Sequence, residues 1–149
     1  VSNIQSEWLQ EVLKQTLGIT VKIDKQIFKQ RLAKMTSGDF DLLLGGWGPD
    51  YNDPLTYGDL FASWNLNNRG KYNSPQMDEL VATAQNATAT PDRMQAFGDI
   101  QRQLFDDVVI LPMYERGVTY VVHPQLKGVK RRVIGAETDY TYAYLDPDT

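Results

Sequence analysis

Apolar residues along this chain switch between a helical spacing and an alternating one, and that switching predicts an α/β fold: a mixed, mainly parallel sheet flanked by helices. Three observations carry the expectation. A helix-period segment, an alternating segment, a second helix-period segment and a short apolar run succeed one another before residue 45, the order that calls for parallel strands joined by right-handed crossovers. The run Phe40, Leu42, Leu43, Leu44 has the density of a strand covered on both faces. It passes straight into a loop of glycine, tryptophan and acids, GGWGPDYNDP. In open α/β sheets ligands lie outside the carboxyl ends of strands, and this loop is at such a place.

Taken in order, Ser2 or Asn3 caps a helix with Ile4, Trp8, Val12, Leu13 and Leu17 on one side, and Gly18 ends it. Ile19 to Asp24 alternates apolar and polar residues, as a strand with one covered face does. A helix from Gln26 to Ser37 places Phe28, Leu32 and Met35 on a core face, with Gly38 beyond it. After the strand Phe40 to Leu44, residues 59–72 are polar and rich in Asn and Gly, a surface excursion. Ser74 with Pro75, and Thr90 with Pro91, each open a helix. The two helices should form an antiparallel hairpin, with Gly98 marking close packing. Val108 to Tyr114 and Gly117 to Val122 read as further strands, the first interrupted by Pro112 at an edge or bulge. The division this suggests is an α/β core over residues 1–107, with a ligand-facing loop at 45–57, and C-terminal strands over 108–149.

Composition narrows the function classes. At 149 residues, 42% hydrophobic and 23% charged, the chain suits one globular domain. A net charge of −4 argues against nucleic acid as the main partner. With no cysteine, neither disulfides nor thiol catalysis is possible. No apolar run reaches the ~18 residues a membrane span needs. The first residue is Val1 and no signal peptide is recognisable, which points to an excised or processed piece.

The loop GGWGPDYNDPLTY, the stretch NNRGKYNSPQMDELV, a helix ending QRQLFDD and the strand VILPMYE occur in an order that resembles the C-terminal lobe of the extracellular solute-binding proteins of family 5. The resemblance runs from Ser6 to Val129 and rests on the ordered set more than on any one motif. It implies a periplasmic-binding-protein-like lobe, and the oligopeptide- or dipeptide-binding role of an ABC importer. Ligand would lie in a cleft between two lobes, with membrane permease subunits as partners and an extracytoplasmic location, periplasmic or as a cell-surface lipoprotein. No cofactor and no enzymatic activity are implied. Family members are much longer, so this chain is expected to be part of one lobe, and its tail after Val108 would return toward the other. An unpaired sheet edge then leaves dimerisation open.

By the same resemblance, an aspartate three residues after the loop tryptophan pairs with the ligand's α-amino group, a spacing matched by Trp47 and Asp50. A carboxylate in a closed cleft satisfies an ammonium through charge-assisted hydrogen bonds. Asp50 can alternatively cap its own turn. Trp47 either lines the cleft or seals the strand end as core. Gly45, Leu44 and Gly46 either offer main chain to an extended peptide or make a tight turn, and both can hold at once; Gly48, like Gly45 and Gly46, lets a backbone approach closely or adopt positive φ. Asp53, in the pair Asp53-Pro54, shapes the loop. Where some members carry an arginine three residues before the tryptophan, this chain has Leu44, so recognition of a short peptide's C-terminus by this strand is not implied. Arg69 and Tyr72 either reach the cleft rim or are solvated.

Other readings find little footing. Asp39, Asp41, Asp50 and Asp53 could be paired as a glycosidase needs, but the first two sit at a strand start, where solvation is the default. The single histidine, His123, precedes a proline and no GxSxG elbow accompanies it. An EF-hand register starting in DYND puts Leu55 and Phe61 where Gly and Glu are required. The basic cluster Lys127, Lys130, Arg131 and Arg132 reads as a solvated strand face. Within the receptor family the ligand could instead be a nickel chelate or a sugar. Outside it, a carbohydrate-binding module would stack sugars on Trp47, Trp64 and the tyrosines.

Overall fold

The computed structural model describes residues 3–132, 134 and 137–147. Helices α1 (Asn3–Leu17), α2 (Phe28–Ser37), α3 (Leu55–Gly58), α4 (Pro75–Asn86) and α5 (Thr90–Asp106) are followed by four two-residue strands: β1 (Leu126–Lys127), β2 (Lys130–Arg131), β3 (Thr138–Asp139) and β4 (Tyr144–Leu145). Both ladders are antiparallel, β1 with β4 through Leu126 opposite Leu145, and β2 with β3 through Lys130 opposite Asp139. Gly128 holds φ +72, and a Cβ there would collide with the Tyr142 carbonyl, so a glycine is required where the two ladders meet.

The helix ends follow the sequence reading closely. Ser2, a proposed cap of α1, lies outside the described residues. At the other end Gly18 (φ 68) donates to the Lys14 carbonyl at 3.1 Å, and Gly38 (φ 77) does the same to Lys34 at 2.9 Å. Ser74 Oγ accepts the Met77 N–H at 3.3 Å, capping α4 as expected. Helix α5 differs: its cap position is Ala89, with no side-chain cap bond, and Thr90 is already helical. Gly98 does not mark close packing either, since a Cβ there would meet nothing within 4 Å.

The expected strands are where sequence and structure part. Residues 19–27, 42–49 and 109–123 run without helical or ladder structure. Alternation survives in the first, with Val21 and Ile23 half-buried between exposed Thr20, Lys22 and Asp24. A strand exists only through its neighbour's hydrogen bonds, and none of these segments has a ladder partner among the described residues. Instead Gln10 of α1 donates to the Val21 carbonyl at 2.6 Å. In the third segment Leu111 is 75% and Val121 99% exposed.

Two compact units result, Val1–Gly48 with Leu60–Asp78, and Pro49–Asp59 with Glu79–Thr149. In the first, neither α1 nor α2 buries a residue. Phe28, expected in a core, is 73% exposed because it opens α2 rather than facing another layer. The polar stretch there is organised by buried Asn68, whose amide donates to the Ala62 and Tyr72 carbonyls at 3.2 and 2.7 Å and accepts the Tyr72 N–H at 3.0 Å. Asp78 closes the same excursion by accepting the Ser63 N–H and hydroxyl at 2.7 and 2.6 Å.

In the second unit α3 packs on α5. Gly58 lies so near Phe97 that an added Cβ would sit 3.3 Å from its ring, with Ile100 just beyond. Phe97, Ile100 and Leu104 form the buried stripe of α5. On the same helix Arg93 makes a two-pronged bond to Asp53, Nη1 to Oδ2 and Nη2 to Oδ1, both 2.7 Å. Its Nε donates to the Ala84 carbonyl at 2.8 Å, and the guanidinium lies 5.1 Å from the Phe97 ring centre.

Ile100→Ala should cost about 2–5 kcal/mol in urea unfolding, the usual range for truncating a buried aliphatic side chain. The clamp sets an acid limb as well. Arg93, and after it the Leu55 N–H, hold the Asp53 carboxyl below the ordinary aspartate value. Its stabilisation is therefore present above the unfolded pKa of about 4 and is lost as pH falls through the lower folded value. Asp53→Asn should flatten stability against pH in that acid window while leaving the profile near neutrality parallel to the parent's.

Candidate functional site

In the first unit, the apolar run ends at Leu44, whose carbonyl accepts Arg31 Nη2 of α2 at 3.0 Å. Beyond it Gly45, Gly46 and Gly48 all keep negative or extended φ, so none is required by a left-handed turn. Space is what they provide: a Cβ at Gly46 or Gly48 would meet nothing within 4 Å, and at Gly45 only Leu43 at 3.9 Å. Trp47 between them is 40% exposed, which removes it from a sealed core in this unit.

In the second unit, residues 50–56 form a tightly hydrogen-bonded turn. Thr56, buried, accepts the Asp50 N–H on its hydroxyl at 3.0 Å and donates its own N–H to the Asp53 carbonyl at 3.1 Å. The Asp53 N–H reaches the Tyr51 carbonyl at 3.0 Å, and Asp53 Oδ1 accepts the Leu55 N–H at 2.9 Å. The turn-capping job considered for Asp50 thus falls to Asp53, which also takes Arg93. Asp50 is left exposed, its carboxylate making no hydrogen bond or ion pair to the described residues.

The charge of Asp50 is felt by its neighbours. Burial pushes the Asp59 carboxyl above the ordinary aspartate value, and Asp50 pushes it further. Tyr51 is raised by burial first, then by Asp59, Asp53 and Asp50. An accessible carboxylate with no internal counter-ion, beside a second acid, is an arrangement that favours an incoming cation with several donors.

Sequence reasoning missed two features. Nothing in the spacing of Arg93, forty residues from Asp53, marks it as the partner of that acid. The other is a polar concavity of about 470 Å³ in the first unit, lined by Trp64, Asn67, Arg69, Tyr72 and Thr36 among others. Arg69 is half-buried there and donates to Thr36 Oγ1 and Asn67 Oδ1, both at 2.9 Å. The basic C-terminal cluster is partly self-matched, with Arg132 on Asp139 at 2.6 Å and Arg131 stacked 3.6 Å from the Tyr120 ring centre. Among the described residues no three acids or histidines are placed to hold a metal ion, and no helix is long and apolar enough to cross a membrane.

Residues 4–69 match the family described as "Bacterial extracellular solute-binding proteins, family 5 Middle". A dipeptide-binding protein of Lactococcus lactis subsp. cremoris is 30% identical over 97% of this chain and 27% of its own length. Among solved structures, the substrate-binding domain of an oligopeptide ABC transporter from Bacillus anthracis str. Ames superposes with a TM-score of 0.83 at 34% identity, over 93% of this chain and 28% of that one. Listeria monocytogenes OppA bound to peptide gives 0.82 at 32%, over 95% and 27%. The chain therefore spans about a quarter of the length of such relatives. Similarity of this extent identifies the fold as α/β and periplasmic-binding-protein-like, although its sheet segments are unpaired here. Sequence match, backbone likeness and the ordered motifs agree: the chain matches a part of family 5 of the bacterial extracellular solute-binding proteins.

Proposed function

We propose that this chain is part of one lobe of the extracytoplasmic substrate-binding component of an ABC importer, that it binds oligopeptides between two lobes, and that Asp50 pairs with the peptide α-amino group. The observation that carries the last step is the division of labour between two aspartates. Asp53 has both oxygens engaged by Arg93 and the Leu55 N–H, whereas Asp50 keeps its carboxylate exposed and makes no bond from it to the described residues. Relatives named for oligopeptides, dipeptides and murein peptides support the ligand class. Gly45, Gly46 and Gly48 leave the main chain approachable, as strand-like capture of a peptide backbone requires, and Trp47 supplies an exposed ring beside it. Residues 1–107 would form the lobe core, and 108–149 the strands that return toward the other lobe. The uncovered apolar side chains of 108–122 support that reading. The whole receptor would work in the periplasm or as a lipoprotein at the cell surface, delivering peptide to permease subunits. Binding alone would be its task.

Two measurements bear on this. Calorimetry of the full-length protein against a mixed peptide library should give tight binding that weakens at least about tenfold, or 1.4 kcal/mol, in Asp50→Asn. N-acetylating the peptide should weaken it likewise. Tight binding indifferent to both changes would remove Asp50 from the site, and absence of peptide binding would turn attention to sugars or metal chelates. Separately, Asp50→Asn should lower the Asp59 pKa in a carboxyl-carbon NMR titration yet leave it above 3.8, because burial is the larger cause of its rise.

A further inference from the structure

We infer that Arg93 is a positioning residue for the ligand's amine: it touches no ligand, and holds the turn that presents Asp50. This rests on the amine-pairing reading of Asp50 given above. Three links connect the two residues, all inside one compact unit. The guanidinium grips both oxygens of Asp53 at 2.7 Å. The Asp53 carbonyl accepts the Thr56 N–H at 3.1 Å. The Thr56 hydroxyl accepts the Asp50 N–H at 3.0 Å. Thr56 itself is only 3% exposed, so the acceptor end of this last link is buried.

Arg93 is suited to be the fixed end of that chain because all of its nitrogens are engaged. Nε is tied to the Ala84 carbonyl at 2.8 Å at the end of α4, and the guanidinium lies against buried Phe97. A planar fork held at its base and on one face cannot turn without losing several bonds together. It also neutralises Asp53. Without it, a second uncommitted carboxylate would stand three residues from Asp50, and an ammonium would have two places to go. A lysine would keep the charge and lose the geometry, so it should not substitute.

The test compares full-length wild type, Arg93→Gln, Arg93→Lys and Asp50→Asn, each titrated with one peptide in free and N-acetylated form. Wild type should prefer the free amine. Both Arg93 variants should lose most of that preference, roughly tenfold, while binding the acetylated peptide within about twofold of wild type. Combined with Asp50→Asn, Arg93→Gln should add little, because the two act on one interaction. A merely structural arginine would instead weaken both peptides equally, and that result would overturn the inference. So would a free-amine preference that survives in both variants. If Asp50→Asn keeps the preference, the amine reading fails and this inference with it; if Asp50→Asn loses it and the Arg93 variants do not, only this inference fails. Should the Arg93 variants not fold, Thr56→Val cuts the same chain at its last link, and an unchanged preference there would equally overturn it.

Discussion

The bidentate bond between Asp53 and Arg93 is the contact on which the second unit depends. Two parallel charge-assisted bonds fix orientation as well as distance, and with side chains 29% and 25% exposed the pair is screened less than a surface ion pair. From it the neighbouring structure follows in order. Because Asp53 is held, its Oδ1 is placed to cap Leu55 and its carbonyl to start α3. Because α3 starts there, Gly58 arrives against Phe97 and Ile100, where no larger residue fits without displacing the ring. The polar clamp and the apolar stripe of α5 are therefore one device, built on positions 93, 97, 100 and 104 of a single helix face.

A different constraint governs the first unit. Its two helices bury nothing, and Ile4, Trp8, Leu17, Ile27 and Phe28 are all more than half exposed. Amphipathic helices in water are stable chiefly through the face they bury, and exposed apolar area on this scale marks a surface that meets another. Beside buried Ala62 and Met77, its contacts are largely polar: Asn68 closing its loop, Arg69 on Thr36, Arg31 on Leu44, Lys25 on Glu7. Relatives of about four times the length carry further chain for such faces to meet.

How much of this could be read from the sequence varies with the range of the interaction concerned. Helix ends are written locally, in Gly18, Gly38, Ser74 and Pro75, and the structure places them where those residues indicate. Strands are written only as periodicity. Val21 and Ile23 keep their covered side, yet a ladder requires a second strand that periodicity does not identify. For the candidate site, the Trp47-to-Asp50 spacing is readable in the sequence. The choice between Asp50 and Asp53 as the capping acid was not legible, because it is decided by Arg93, forty residues away on another helix. Phe28 and Gly98 were misread for a related reason: spacing says which face a residue occupies, never what lies opposite.

An exposed carboxylate is a weak anchor by itself. At 4 Å, opposite unit charges attract by about 1 kcal/mol in water and by about 4 kcal/mol at the effective dielectric of a protein surface. Asp50, open to solvent in its own unit, stands near the first of these limits. Pairing with an ammonium becomes strong only when water is excluded around it, which in a two-lobed receptor is the work of closure. Rigidity of the turn then matters more than charge count. Closure strengthens a hydrogen bond only if the carboxylate is already in place when the solvent leaves; otherwise part of the gain is lost to ordering it. A carboxylate held by its backbone through Thr56, Asp53 and Arg93, and left unpaired at its oxygens, meets that condition. By the same reasoning the better-satisfied Asp53 would make the poorer ligand group. Both its oxygens are already engaged, and giving them up to a peptide would break the contact that orders the turn.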